Sequence, residues 1–346
     1  MRGAAACIVA GSLLGAAFLA ALALGPAFAA RSVDRLDRFR ELAVRIDPSV
    51  GGSLAEVYAL LDGEVVESLA GGGVFASPAF IEDRLFAFVD AWGGLSVRVY
   101  PLAHVLAAAC SFTELARGST VRIYGRNGGE PALLTAYVGE GWPVLRPLPP
   151  TRNGARQLLV TWEGAPAADG ARPLRFDVVR EEATSVLVAW SSSAIFPNGL
   201  TARWYVVRGG DITVRHAAPY PGWTPGCDDQ AEYEDVYRLT RGASTFARVG
   251  RREVNAWHRD VHAAADRLFG ALARSDGGSL RALVPDAELR ARLPASLRAE
   301  PACNAPPGRD GTVSIAAVAG PHDPWVLTFR RAAGRWRLTA AAPVIP

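Results

Sequence analysis

The chain has no lysine; its 37 basic residues are all arginine. A Schiff-base nucleophile needs a lysine amine. A phosphate-binding P-loop and a Ser-x-x-Lys acylation centre need one as well. Pyridoxal enzymes, P-loop NTPases, protein kinases and penicillin-binding-type acylases are therefore excluded. Arginine codons of the CGN type are GC-rich and lysine codons AT-rich, so the bias tracks base composition. It is no argument for nucleic acid, and no basic stripe with interleaved aromatics occurs. The net charge of +3 is too small to steer a partner strongly. There is no Gly-x-Ser-x-Gly elbow and no Cys-x-x-Cys pair.

One long hydrophobic run is present, at the N-terminus. Arg2 precedes apolar residues from Ala4 to Leu24, Gly25-Pro26 break the run, and Ala27-Phe28-Ala29 follows with small residues at signal-peptidase spacing. Residues 1–30 are expected to be a secretory signal peptide, cleaved near Ala29 or Ala30. The rival expectation is an uncleaved anchor, because the run is almost long enough to span a bilayer. Cys7 lies too early to be a lipidated cysteine. The expected location is secreted or periplasmic, with no transmembrane segment after signal removal.

Of the four cysteines, three follow the signal. Cys110 sits in apolar LAAAC and reads as a buried free thiol. Cys227 in TPGCDD and Cys303 in EPACNAPPG both read as loops, so a Cys227–Cys303 disulfide is expected in an oxidising compartment.

The remaining chain divides by its hydrophobic period. Residues 31–94 read as a helical bundle, 95–250 as an antiparallel β sandwich or barrel, and 251–346 as an α+β unit; the fold class is α+β. In the first part, Ser53-Leu54-Ala55-Glu56 is a capping box. Ser77-Pro78 is a second helix start, followed by an apolar stripe of Ile81, Leu85, Phe88 and Trp92 that ends at Gly93-Gly94. In the second part, Val97/Val99, Val121/Ile123, Leu158/Val160/Trp162 and Ile212/Val214 alternate with polar residues between glycine-rich turns. Arg146–Gly154, RPLPPTRNG, reads as a proline-rich loop or linker. The third part reads as helix, short helix and three strands, at 312–319, 325–331 and 335–341.

The most suggestive stretch is WHRDVHAAADRLF, Trp257–Phe269. A kinase catalytic loop would need asparagine at 265, which is alanine. A zincin helix would need glutamate at 259, which is arginine. At about 100° per residue, Trp257, Val261, Ala264, Ala265, Leu268 and Leu272 share one arc, and Arg259, Asp260, Asp266 and Arg267 lie opposite. His258 and His262 fall on the flank between. The expectation is a structural helix with two boundary histidines. The alternative is a pocket or catalytic role for His258, His262 and Asp266, since imidazoles at i and i+4 can chelate.

CDDQAEYEDVY places Asp228, Asp229, Glu232, Glu234 and Asp235 within eight residues. Calcium takes such oxygens, although the spacing is not that of an EF-hand; the rival reading is a solvated face. No other cofactor is expected. Just before it, Tyr220 and Trp223 in PYPGW form either an exposed aromatic platform for sugar or peptide or a loop packed down on the fold.

The segments AADRLFGALARSDGGSLRALVPDAEL and PWVLTFRRAAGRWRLTAAAPVI resemble the opening helices and terminal hairpin of NTF2-like (SnoaL-like) domains. The resemblance implies a helix-plus-antiparallel-sheet fold for roughly the last ninety residues. It carries no catalytic residue over, because that fold hosts enzymes, binding modules and immunity-type proteins alike.

The function expected from the sequence is non-catalytic binding or envelope interaction, with a protein, peptide or glycan as partner. The alternatives are a small-molecule hydrolase or isomerase with a pocket in or beside the C-terminal unit, and a calcium-stabilised adhesion module.

Overall fold

The computed structural model describes residues 35–45, 51–93, 95–102, 105–112, 119–182, 185–304, 308, 311–321 and 323–344. The expected signal peptide lies outside them, as does the side chain of Cys110. Among the described residues no helix is long and apolar enough to cross a membrane.

The first layer is helical: α1 (Arg35–Ala43), α2 (Gly51–Gly71) and α3 (Pro78–Trp92). Helix α3 starts as its sequence dictates. The Ser77 hydroxyl accepts from the Phe80 amide at 3.3 Å, and proline occupies the first turn, where its missing N–H costs nothing. Gly93, at φ 70°, closes the helix in the left-handed conformation that glycine tolerates best. Helix α2 begins two residues before the expected capping serine.

These helices do not close a core on themselves. Phe39, Val57, Leu61, Ile81, Leu85 and Phe88 pack onto Val97, Val99, Leu106 and Tyr124 of an antiparallel sheet. That sheet holds β1 (Leu95–Leu102), β2 (Val105–Phe112), β3 (Ser119–Asn127) and β4 (Glu130–Gly139), in sequential order. Three helices with one narrow stripe each leave apolar surface uncovered, and the sheet covers it. Asp62 of α2 fixes the junction by accepting from Arg122 Nε and from the Tyr124 hydroxyl, each at 2.6 Å.

The opposite face of this sheet, through Val121 and Ile123, packs on Leu145, Leu158, Val160, Trp162 and Val179 of a second sheet. The second sheet has eight antiparallel strands: β5 (Trp142–Leu148), β6 (Gln157–Glu163), β7 (Arg172–Glu181), β8 (Val186–Ser191), β9 (Leu200–Arg208), β10 (Asp211–Ala217), β11 (Glu232–Leu239) and β12 (Phe246–Val254). Its path runs β12-β11-β10-β9-β7-β6-β5. Strand β7 divides its pairing: residues 172–174 bond β9 and residues 177–181 bond β8. The sheet therefore folds over at β7. Leu159, Phe176 and Val178 on one limb meet Leu200, Ile212, Val214 and Tyr237 on the other. Trp190 of β8 reaches Phe246 of β12, with ring centroids 5.2 Å apart.

Of the expected sandwich or barrel, no closed barrel forms among the described residues. Strands β5 and β12 are open ends of the path, and the inner limb is covered on its far face by the first sheet. Strands β6 and β7 are thus covered on both faces, as continuous apolar runs such as LLV require. Part of the expected proline-rich linker is strand: β5 extends to Leu148 before the loop begins.

The C-terminal unit comprises α4 (Ala256–Ala273), α5 (Gly277–Leu283) and α6 (Ala287–Arg292), with a sheet of β13 (Arg298–Ala299), β14 (Thr312–Gly320), β15 (Asp323–Ala332) and β16 (Arg335–Pro343) in sequential order. Val261, Ala264, Ala265, Leu268 and Leu272 form the buried stripe of α4, against Ile315, Leu327, Phe329 and Leu338. Asp276 caps α5, accepting from the Gly278 and Ser279 amides, and Asp286 caps α6, accepting from those of Glu288 and Leu289.

Candidate functional site

The two histidines of α4 are not boundary residues. His258 is 1 % exposed and His262 5 % exposed. The flank on which they lie is closed by the loop that joins β10 to β11 and by the segment carrying Cys303 and Asn304. One turn apart on the helix, the imidazoles stack with centroids 4.8 Å apart and planes inclined by 18°. Their nitrogens do not converge on a common point. The Tyr220 hydroxyl is hydrogen-bonded to Nδ1 of His258. Asn304 Nδ2 donates to Nε2 of His262 at 2.7 Å. The Asn304 amide nitrogen can only donate, so the ring proton of neutral His262 sits on Nδ1. Nε2 of His258 is buried among the described residues without a protein partner.

Burial disfavours the imidazolium. His258 is pushed down to about 4, by desolvation first and by His262 second. His262 is also lowered by desolvation, against the opposing pull of exposed Asp266. Tyr220 is pushed up to about 12 by burial. All three are neutral near pH 7.

The covering loop is itself held. Gln230 accepts from the Thr224 amide at 2.8 Å and donates to the carbonyls of Thr224 and Cys227. Cys227 and Cys303 form a disulfide with Cα atoms 5.2 Å apart, which ties this loop to the Asn304 segment. Tyr220 packs down on the histidine rings, at 5.8 Å from each, so it is no exposed platform. Sequence reasoning missed Asn304, although its place directly after Cys303 was the available signal.

The five carboxylates of the acidic run do not share a site. Asp228 and Glu232 meet Arg203, and Glu232 also meets Arg215. Glu234 pairs with Arg252 at 2.7 Å. Asp235 is fully buried, accepts both arms of the Arg251 fork at 2.7 and 2.8 Å, and faces Nε2 of His216 at 3.1 Å. Its burial would raise its pKa, but Arg251 and His216 more than offset that and hold it low. Asp229 turns the chain before β11 with φ 56°. Among the described residues no group of three or more His, Cys, Asp or Glu is placed to hold a metal ion.

A cleft of about 1210 Å³ lies elsewhere. One wall is the β4–β5 turn, Gly139 to Trp142; the other is the β8–β9 connection, residues 192–201. Its floor is Trp162. The indole Nε1 donates to Asp177 at 2.8 Å, Arg175 Nε donates to the same oxygen at 3.0 Å, and the guanidinium lies 5.1 Å above the indole. A Cβ at Gly139 would overlap the Trp162 ring, so glycine is what lets the turn settle on the floor. Trp142, 40 % exposed, and Val138 give the cleft an open apolar wall. Glu140, Ser193 and Asn198 stand around it as exposed hydrogen-bonding groups. None of these was singled out from the sequence as a site residue; Trp162 read there only as part of the Leu158/Val160/Trp162 strand face.

No family model matches the chain, and no curated protein matches it.

Proposed function

We propose that this is an exported, non-catalytic binding protein of the cell envelope or its exterior, and that it holds a saccharide in the cleft beneath Trp142. One observation carries the reading. An exposed indole and valine stand over a floor of Trp162 and Arg175, with a carboxylate, a hydroxyl and an amide at the rim. A sugar ring offers an apolar C–H face to an indole and hydroxyls to such a rim, and ligand sites commonly combine an apolar wall with a few placed polar groups. Export is supported by the N-terminal apolar run with its small-residue end, and by the disulfide, which persists outside the reducing cytosol.

The C-terminal unit, three helices on a four-stranded antiparallel sheet, is consistent with an NTF2-like reading. That fold assigns no activity by itself. Here the histidine flank is filled by Tyr220 and Asn304 and serves as a seam.

Calorimetric titration of the purified protein with neutral hexose and N-acetylhexosamine oligosaccharides, and with short uncharged peptides, tests the proposal. Saccharide binding that Trp142→Ala abolishes is expected. Binding of peptides alone, or of no oligosaccharide, overturns the saccharide assignment.

A further inference from the structure

A second cleft, of about 730 Å³, opens where three connections meet: the β5–β6 loop, the β9–β10 turn and the β11–β12 connection. Three arginines line it, Arg152, Arg238 and Arg241, against one carboxylate, Asp211. Asp211 is already engaged. Arg238 grips it with both arms, Nε at 2.9 Å and Nη2 at 2.8 Å. Arg152 and Arg241 are exposed, and among the described residues neither has a carboxylate at ion-pair distance. The cleft thus presents two uncompensated guanidinium groups.

Their setting is rigid. The Arg152 amide donates to the Gly242 carbonyl at 3.2 Å, which ties the β5–β6 loop to the residue next to Arg241. Gln157, buried beneath, donates to the carbonyls of Pro149 at 2.6 Å and Ala243 at 3.1 Å, clamping the same two connections. Gly242 has φ +71°, and a Cβ there would overlap Cγ of Arg152. The stem of Arg152 therefore lies across the bare Cα of Gly242, in the lining of the cleft. Pro149, Pro150 and Leu239 supply an apolar shelf beside the charges.

We propose that this cleft is a second binding site, specific for the oxyanion group of an acidic saccharide, a uronate carboxylate or a sulfate ester. Guanidinium forks match planar carboxylates and tetrahedral oxyanions in two parallel hydrogen bonds. Both sit on backbone held by a clamp, so the ordering that binding requires is confined to their side chains. The volume exceeds what one oxyanion fills, and the proline shelf lies where the C–H face of the attached sugar would rest. The site is separate from the Trp142 cleft and does not depend on it.

The test uses the full exported chain and four probes: an oligogalacturonate, a sulfated oligosaccharide, a tetra-aspartate peptide, and vesicles of phosphatidylglycerol. Binding is read by calorimetry at low and at physiological salt. The acidic oligosaccharides are expected to bind, more weakly as salt screens the charges. Arg152→Gln and Arg241→Gln should each lower affinity roughly tenfold or more. Gly242→Ala should lower it as well while leaving net charge unchanged, and its melting temperature shows whether the fold survives. The salt-sensitive binding that Arg152→Gln and Arg241→Gln weaken should persist in Trp142→Ala, so failure of the first cleft's assignment and failure of this one are separable. The proposal is overturned if the oligosaccharides do not bind, if the arginine variants bind them unchanged, or if only the peptide or only the vesicles bind.

Discussion

Gly222 lies with its backbone against Nδ1 of His262, close enough that a Cβ at position 222 would overlap the imidazole. Its φ of +87° independently favours glycine. The loop can therefore roof the histidine pair only with glycine at this position. Gly222→Ala is expected to lower stability by about 1–3 kcal/mol through strain and displacement of the ring. Thermal unfolding measures it, and a melting temperature equal to the parent's would show that the roof is not closed.

The buried pair gives the fold a sensitivity to acid. The folded-state pKa of His258 is about 4, against an ordinary value of 6.5, so the unfolded chain takes up the proton first. This contribution to stability is complete above pH 6.5 and is lost as the pH falls from there to about 4. The loss, complete below about pH 4, is on the order of 3 kcal/mol. His262, lowered by the same burial, adds to the loss in the same direction. Denaturant melts of the parent and His258→Gln at pH 7 and pH 4.5 are the check: the variant should lose less stability on acidification. Equal losses would contradict the burial of a neutral His258.

Reduction of the Cys227–Cys303 disulfide should matter more than its surface loops imply. The bond spans 76 residues of sequence and holds Asn304 against His262. Loop closure of that length contributes about 4–5 kcal/mol in the chain-entropy model. Melting with and without reductant should show a large drop, and Cys303→Ser should reproduce it without reductant. No change in either would mean that the seam is held by packing alone.

What the sequence revealed and hid follows from which partners are local. The stripe of α4 and the cap of α3 depend on residues three or four positions apart, and both were legible. Strand β6, QLLVTWE, is covered on both faces, so only half of its apolar residues could be explained by alternation. The acidic run read as a cation site or a solvated face because its arginines lie on β9, β10 and β12, many residues away, where register and not spacing delivers them. The histidines read as boundary residues because the loop that buries them arrives from a different sheet. The clefts were invisible for the same reason: each is made where turns distant in sequence meet.

The most direct measurement compares two variants on one ligand. The parent, Trp142→Ala and His262→Gln are titrated calorimetrically with the neutral oligosaccharide that binds the parent best, and each is melted in parallel. If the cleft holds the ligand and the histidine pair is a structural seam, Trp142→Ala should lose about tenfold or more in affinity with its melting temperature unchanged. His262→Gln should melt at a lower temperature yet bind as the parent does. The reverse pattern, with affinity kept in Trp142→Ala and lost in a folded His262→Gln, would contradict this assignment and return the functional site to the histidine helix.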